Sequence, residues 1–147
     1  MQIEIKIDET CTETTVTVRA PCMTEEVQRL VNRLSQDLPE ALAGFREETA
    51  RLLEQAEIIR VYASGGKVFA SSADGGEYSL RLRLYELEER LDRRCFVRIS
   101  NSEIINLKMV KCFDLSFTGT ICVSLEGGIV TYVSRRYVSK IKKALGI

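Results

Sequence analysis

Two segments of the last third decide how this chain is read: RCFVRISNSEIINL (residues 94–107) and VSRRYVSKIKKAL (residues 133–145). Each runs from a short apolar strand through a polar corner into a helix-like pattern. The corners are Ser100-Asn101-Ser102 and Ser134-Arg135-Arg136. Ser and Asn cap helix starts, so such corners gather polar side chains and unpaired backbone N–H groups. Asn can hydrogen-bond an adenine edge in two places, and Arg can do the same to guanine. Between the segments the sequence predicts a strand over residues 109–113 and a turn at Ser116-Phe117-Thr118-Gly119-Thr120. Two more strands follow, 121–125 and 129–133, around Gly127-Gly128.

Upstream, residues 2–8 alternate, with Ile3, Ile5 and Ile7 on one side and Glu4, Lys6 and Asp8 on the other, the pattern of a half-buried strand. Thr15-Val16-Thr17-Val18-Arg19 alternates again, so a β-hairpin is expected, ended by Pro21. Thr24 is a helix cap, Glu25 and Glu26 suit the first turn, and Val27, Leu30, Val31 and Leu34 recur at helical spacing; a helix is predicted over 24–36. This hairpin and helix either dimerise, receive a signal, or pack on their own domain. Asp37-Leu38-Pro39 is a break and a candidate boundary.

Residues 41–53 read two ways. Their Ala, Leu and Glu content suggests helix, whereas short strands at 43–45 and 49–52 are the alternative. Strands are predicted at 58–62 and 67–71, joined by Ser64-Gly65-Gly66, and at 77–80 after Gly75-Gly76. Leu84, Leu87 and Leu91 place one apolar stripe on a short helix whose other face is acidic. In the final helix Tyr137, Val138, Ile141, Ala144 and Leu145 should pack inward, while Arg136, Lys140 and Lys143 share a solvent face. Phe117, apolar within a turn, is expected to anchor into the core.

A chain of 147 residues, 45% apolar and 29% charged, fits one globular unit with a small extension. No apolar run approaches a membrane span and the first residues carry no signal-peptide pattern, so a cytoplasmic location is expected. Five cysteines, Cys11, Cys22, Cys95, Cys112 and Cys122, lie too far apart for a CxxC motif, and there is no His. They are read as reduced thiols, several of them in the core, with neither a zinc site nor a redox role. Without His a Ser–His or Cys–His nucleophile is absent. No Walker-type or dinucleotide glycine pattern follows a strand. No enzyme activity and no cofactor are expected.

The net charge of zero conceals a division. Residues 1–92 hold 11 Lys and Arg against 18 Asp and Glu, and residues 93–147 hold 10 against 3. A net −7 first part and a net +7 last part favour one docking orientation on a polyanion. The plainer explanation is chance segregation on a solvated surface.

Phe96-Val97-Arg98-Ile99-Ser100-Asn101-Ser102-Glu103-Ile104-Ile105-Asn106-Leu107, Ser116-Phe117-Thr118-Gly119 and Val133-Ser134-Arg135-Arg136-Tyr137-Val138 recur in order at a spacing that resembles the LytTR family of bacterial DNA-binding domains. The resemblance covers residues 43–145 and is strongest after Tyr85. It implies a mainly β (α+β) fold: an elongated antiparallel β domain with two or three short helices at 41–147, preceded by a β-hairpin and helix extension at 1–40. It implies that loops and a helix end enter successive major grooves. Carried over residue by residue, base contacts fall to Asn101, Arg136 and, in the third loop, Lys67. Phosphate contacts fall to Arg98, Ser102, Arg135, Ser134, Lys108, Lys140 and Ser64. Asn101 and Ser102 can instead cap a following helix, Arg135 and Arg136 can be a solvated helix start, and Lys140, Lys142 and Lys143 suit a helix C-terminus on stability grounds alone.

Many members of the family carry a receiver domain ahead of the DNA-binding unit. Only about 40 residues precede it here, against the roughly 100–150 of a typical domain. The likeness is to short members regulated through a partner, for which the resemblance implies a small membrane protein. The expected function is sequence-specific binding of double-stranded DNA as a bacterial transcriptional regulator, as a homodimer on direct repeats. The rival is a protein-interaction module with only residual, non-specific DNA affinity.

Overall fold

Thr24 opens the first regular element, its Oγ1 accepting the Val27 amide at 3.3 Å. The helix that follows, α1 (Glu25–Asp37), packs Val31 inward against the next strand while Val27, Leu30 and Leu34 are half-buried. The computed structural model describes residues 1–37 and 41–147, so the predicted break at Leu38 and Pro39 lies outside the described residues. The expected N-terminal hairpin is not formed. Residues 1–24 contain no strand, and residues 1–22 are exposed throughout. Only a turn exists there, where the Cys11 amide donates to the Asp8 carbonyl at 3.2 Å. An isolated two-stranded hairpin is marginal in water, and no described residue covers its isoleucines.

Seven strands build a large antiparallel sheet in the order β2-β1-β5-β4-β3-β7-β6: β1 (Ala41–Arg46), β2 (Thr49–Glu54), β3 (Ile58–Ser64), β4 (Lys67–Ser72), β5 (Glu77–Leu80), β6 (Phe96–Ser100) and β7 (Glu103–Asn106). The strand alternative therefore wins over helix at 41–53. Gly44 shows why: a Cβ there would lie 2.7 Å from Leu53 Cδ1 and 2.8 Å from Tyr78 Cβ, so β1 approaches its neighbours closely only without a side chain. Cross-strand pairing and burial of Leu42 and Leu53 outweigh the helix propensity of Ala and Leu.

The short helix α2 (Leu84–Arg90) follows β5, and its predicted stripe is buried at Leu84 and Leu87, with Leu91 just beyond it. A smaller sheet, in the order β10-β9-β8, holds β8 (Val110–Asp114), β9 (Ile121–Leu125) and β10 (Val130–Val133). A 3-10 turn at Arg135–Tyr137 then leads into α3 (Val138–Leu145), which Gly146 ends in the left-handed conformation at φ 72°. In α3 Ile141 is fully buried as predicted, whereas Ala144 is exposed.

The large sheet is a middle layer with a core on each face. Leu42, Leu53, Ile58, Val61, Ala70 and Ile104 pack with Leu84, Leu87 and Leu91 on one side. On the other, Ile59, Val97, Ile99 and Ile105 meet Ile121, Val123, Leu125 and Val133 of the smaller sheet and Ile141 of α3. Because successive side chains point to opposite faces, β3 and β7 need apolar residues at adjacent positions, and Ile58-Ile59 and Ile104-Ile105 supply them. The mainly β fold with three short helices is the expected one.

Three smaller expectations are corrected. Ser100-Asn101-Ser102 leads into β7, not a helix, since Glu103–Asn106 pairs on both edges, so those residues cap nothing helical. Phe117 is exposed and meets Tyr132 edge-on at 6.0 Å between ring centres, so it does not anchor in the core. No cysteine is fully buried; all five are free thiols, and Cys95 alone packs partly against the first core.

Candidate nucleic-acid interface

One end of the large sheet collects three turns and a helix start. β3 runs into the turn Ser64-Gly65-Gly66-Lys67. Tyr62 pairs with Glu103 and the Ala63 amide donates to the Ser102 carbonyl at 2.8 Å, so the β6–β7 turn lies beside it. From the smaller sheet β10 arrives at the same place, where the Ser134 amide donates to the Ile99 carbonyl at 2.8 Å. The β8–β9 loop closes there too, because Ile121 pairs with Val133 and the Thr120 hydroxyl donates to the Val133 carbonyl.

Asn101 stands exposed at the tip of the β6–β7 turn. Its Oδ1 accepts from the Tyr137 hydroxyl at 3.3 Å, which ties the turn to the start of the last helix. Below it Arg98 holds the turn from inside: Nε donates to the Ser100 carbonyl at 3.0 Å and Nη2 to the Asn101 carbonyl at 2.7 Å. The Ser102 amide adds a bond to Ser100 Oγ at 3.2 Å. The Arg98 guanidinium is itself fixed by Glu88 of α2, 2.9 Å from Nη1. Glu88 also lies 3.6 Å from the Lys140 ammonium of α3. Burial pushes the Glu88 carboxyl up, but the Arg98 hydrogen bond and the charges of Arg98 and Lys140 outweigh it, so the group titrates below its ordinary range.

Arg136 is exposed, its guanidinium carbon 6.0 Å from the centre of the ring of Tyr137, the residue whose hydroxyl meets Asn101. Arg135 lies over the β8–β9 loop at Gly119, where a Cβ would come within 3.3 Å of its Nε. Gly119 has φ +76°, so both the backbone conformation and the close approach favour glycine there. The loop is held by Asp114, whose Oδ1 accepts from the Ser116 hydroxyl at 2.6 Å and its amide at 2.9 Å. Those two bonds lower its pKa.

Among the described residues, Lys67, Arg135 and Arg136 have no carboxylate within ion-pair distance, whereas Arg98 and Lys140 share Glu88. Ser64, Lys67, Asn101, Ser102, Ser134, Arg135 and Arg136 are therefore brought together. Lys140 sits further along α3, and Arg98 is turned inward. Lys108 lies beyond the opposite end of β7, in the 3-10 turn Leu107–Met109, away from the cluster.

Four supporting residues escaped the sequence reading. Tyr137 was legible only as an inward-packing helix residue, and Glu88 only as part of an acidic face. Glu103, 7% exposed, accepts from Thr131 Oγ1 at 2.7 Å and from Arg60 at 3.3 Å, joining the two sheets directly beneath the turn. Asn106, 1% exposed, donates to the Ile58 carbonyl at 2.9 Å and accepts the Lys108 amide at 3.0 Å. A charged and an amide residue inside an apolar strand are the signals that could have marked the last two.

The family described as LytTr DNA-binding domain matches residues 48–146. An uncharacterized HTH-type transcriptional regulator of Staphylococcus aureus strain NCTC 8325 / PS 47 is 32% identical over 148 residues, covering 100% of this chain and 99% of the relative. The similarly named protein of strain MRSA252 is 31% identical over the same span. Although those names say HTH, no two helices among the described residues follow one another across a short turn. A solved LytTr DNA-binding domain, from a Bacillus cereus protein described as a methyl-accepting/DNA response regulator, superposes with a TM-score of 0.70. That match has 20% identity and covers 74% of this chain and 98% of the other. No helix among the described residues is long and apolar enough to cross a membrane. With its profile matched over most of the chain and its relatives aligned from end to end, this protein belongs to the LytTR family of DNA-binding domains.

Proposed function

We propose that this protein is a cytoplasmic bacterial transcriptional regulator that reads double-stranded DNA sequence, binding direct repeats as a homodimer. The observation that carries this reading is the cluster of exposed donors at one end of the large sheet. There Asn101 and Arg136 both meet Tyr137, and Arg135 and Lys67 lack carboxylate partners among the described residues. Asn101 and Arg136 are assigned to base edges, since amide and guanidinium groups make bidentate pairs with adenine and guanine. Lys67 at the neighbouring turn is the third base contact. Ser64, Ser102, Ser134, Arg135 and Lys140 are assigned to phosphates, which fix register without reading sequence. Arg98 acts from behind, holding the Ser100 and Asn101 carbonyls so that the turn keeps its shape. Residues 41–147 form the DNA-binding unit and residues 1–40 an appendage to it.

Selection from a randomised duplex pool at physiological salt, followed by sequencing and anisotropy titration, tests the proposal. Recovery of a paired repeat is the expected result. Binding with no preferred sequence would overturn it in favour of a protein-interaction module with residual DNA affinity. A fall in affinity with added salt would decide nothing, since any basic surface shows it.

A further inference from the structure

Residues 2–8, Gln2-Ile3-Glu4-Ile5-Lys6-Ile7-Asp8, have the alternation of a strand and, among the described residues, no strand to pair with. Ile3, Ile5 and Ile7 are 81%, 81% and 88% exposed. Three isoleucines in a row on one side of an extended segment are a cost to any soluble chain unless something covers them. The segment also lies outside the DNA-binding unit: the family profile begins at residue 48, and the Bacillus cereus domain is 98% covered by 74% of this chain. The Staphylococcus aureus relatives, by contrast, align over this chain's whole length.

We infer that residues 2–8 are the homodimer contact, each copy's strand pairing antiparallel with the same strand of a second copy about a two-fold axis through Ile5. This rests on the homodimer reading above and gives it a surface. The sequence is self-complementary in that one register. Ile5 faces Ile5, Ile3 faces Ile7, and every Glu4 faces Lys6 of the other copy. All six isoleucines then share one side of the ribbon and two Glu–Lys pairs share the other. Shifting the antiparallel register by two residues sets Glu4 against Glu4 or Lys6 against Lys6. Shifting it by one sets isoleucine against charge, and parallel pairing sets like charges side by side.

Thr15-Val16-Thr17-Val18-Arg19, which the turn at Asp8–Cys11 directs back, can flank the central pair in each copy. That would raise the count from two strands to four, past the three needed for independent stability. The hairpin that the single chain does not form is thus completed by dimerisation. Residues 20–24, without helix or strand, can then extend up to about 17 Å between the flanking strand and α1 in each copy.

The test is sedimentation equilibrium and native mass spectrometry on the full chain and two single variants, Glu4→Lys and Lys6→Glu. The wild type is expected to be a dimer at micromolar concentration. Each variant alone should dissociate with a Kd raised roughly tenfold or more, because both charged pairs become repulsive. An equimolar mixture of the two variants should restore a dimer holding one copy of each, since every Glu–Lys pair is then re-formed across the axis. Variants that dimerise as tightly as wild type, or a mixture that stays monomeric, would overturn the pairing while leaving the homodimer reading in place. A monomeric wild type would overturn both.

Discussion

At position 101 the chemistry of one amide decides what the β6–β7 turn can do. Asn101 Oδ1 already accepts from the Tyr137 hydroxyl at 3.3 Å, and a carbonyl oxygen has a second lone pair to offer. The Nδ2 group is left to donate outward. Asn101→Ala and Arg136→Ala should therefore each lose about 1–3 kcal/mol of discrimination at one base pair, measured by titrating the selected duplex against singly substituted ones. Tyr137→Phe leaves the ring in its partly buried place and removes only the orienting hydroxyl. Its expected cost is smaller, on the order of 1 kcal/mol, and confined to the base pair that Asn101 reads. A loss spread evenly over all positions would mean that Tyr137 acts on the fold and not on the amide.

Elements that look separate in sequence share charges at this site. Glu88 of α2 clasps Arg98 of β6 and Lys140 of α3, so a helix on one side of the large sheet steadies a turn and a helix on the other. Its folded-state pKa is lowered, so the stability it contributes is complete above the ordinary glutamate value, about 4.3, and is lost as pH falls through the lowered one. Glu88→Gln should be less stable than wild type at pH 7, and the gap should close as pH drops below about 4. Urea denaturation at both pH values measures this. A gap that is constant with pH would rule out the carboxylate's charge as its cause.

On the scale of the molecule, two cores on opposite faces of the large sheet are pinned together by one buried carboxylate. Glu103 joins Arg60 of β3 to Thr131 of β10 and sits immediately after the β6–β7 turn. Glu103→Ala strands the Arg60 guanidinium and the Thr131 hydroxyl, and should lower unfolding stability by about 3 kcal/mol in a denaturant titration. Because Ser134 is hydrogen-bonded to Ile99, loosening the smaller sheet also moves Arg136 relative to Asn101. The variant should thus lose sequence preference at temperatures where it is still folded, measured by the same selection.

Much of this was legible in the chain. The strands predicted at 58–62, 67–71, 77–80 and 121–125, the stripe of α2 and the cap of α1 follow from local periodicity and turn residues, which need no distant partner to be read. So does the gathering of positive charge after residue 93. What local pattern could not decide was anything settled by pairing. Residues 41–54 are strands because Leu42 and Leu53 are buried across from one another, and Glu103–Asn106 is a strand because it has a neighbour on each edge. Residues 2–8 and 15–19 have equally good alternation and form no strand, because the described residues of the single chain offer them nothing to pack on. The sequence by itself determined which turn residues carry hydrogen-bond donors. Only the tertiary structure decided which of them stand together, since Glu88 of another element holds Arg98 inward, while Arg136 and Lys67 stay exposed without a carboxylate partner among the described residues.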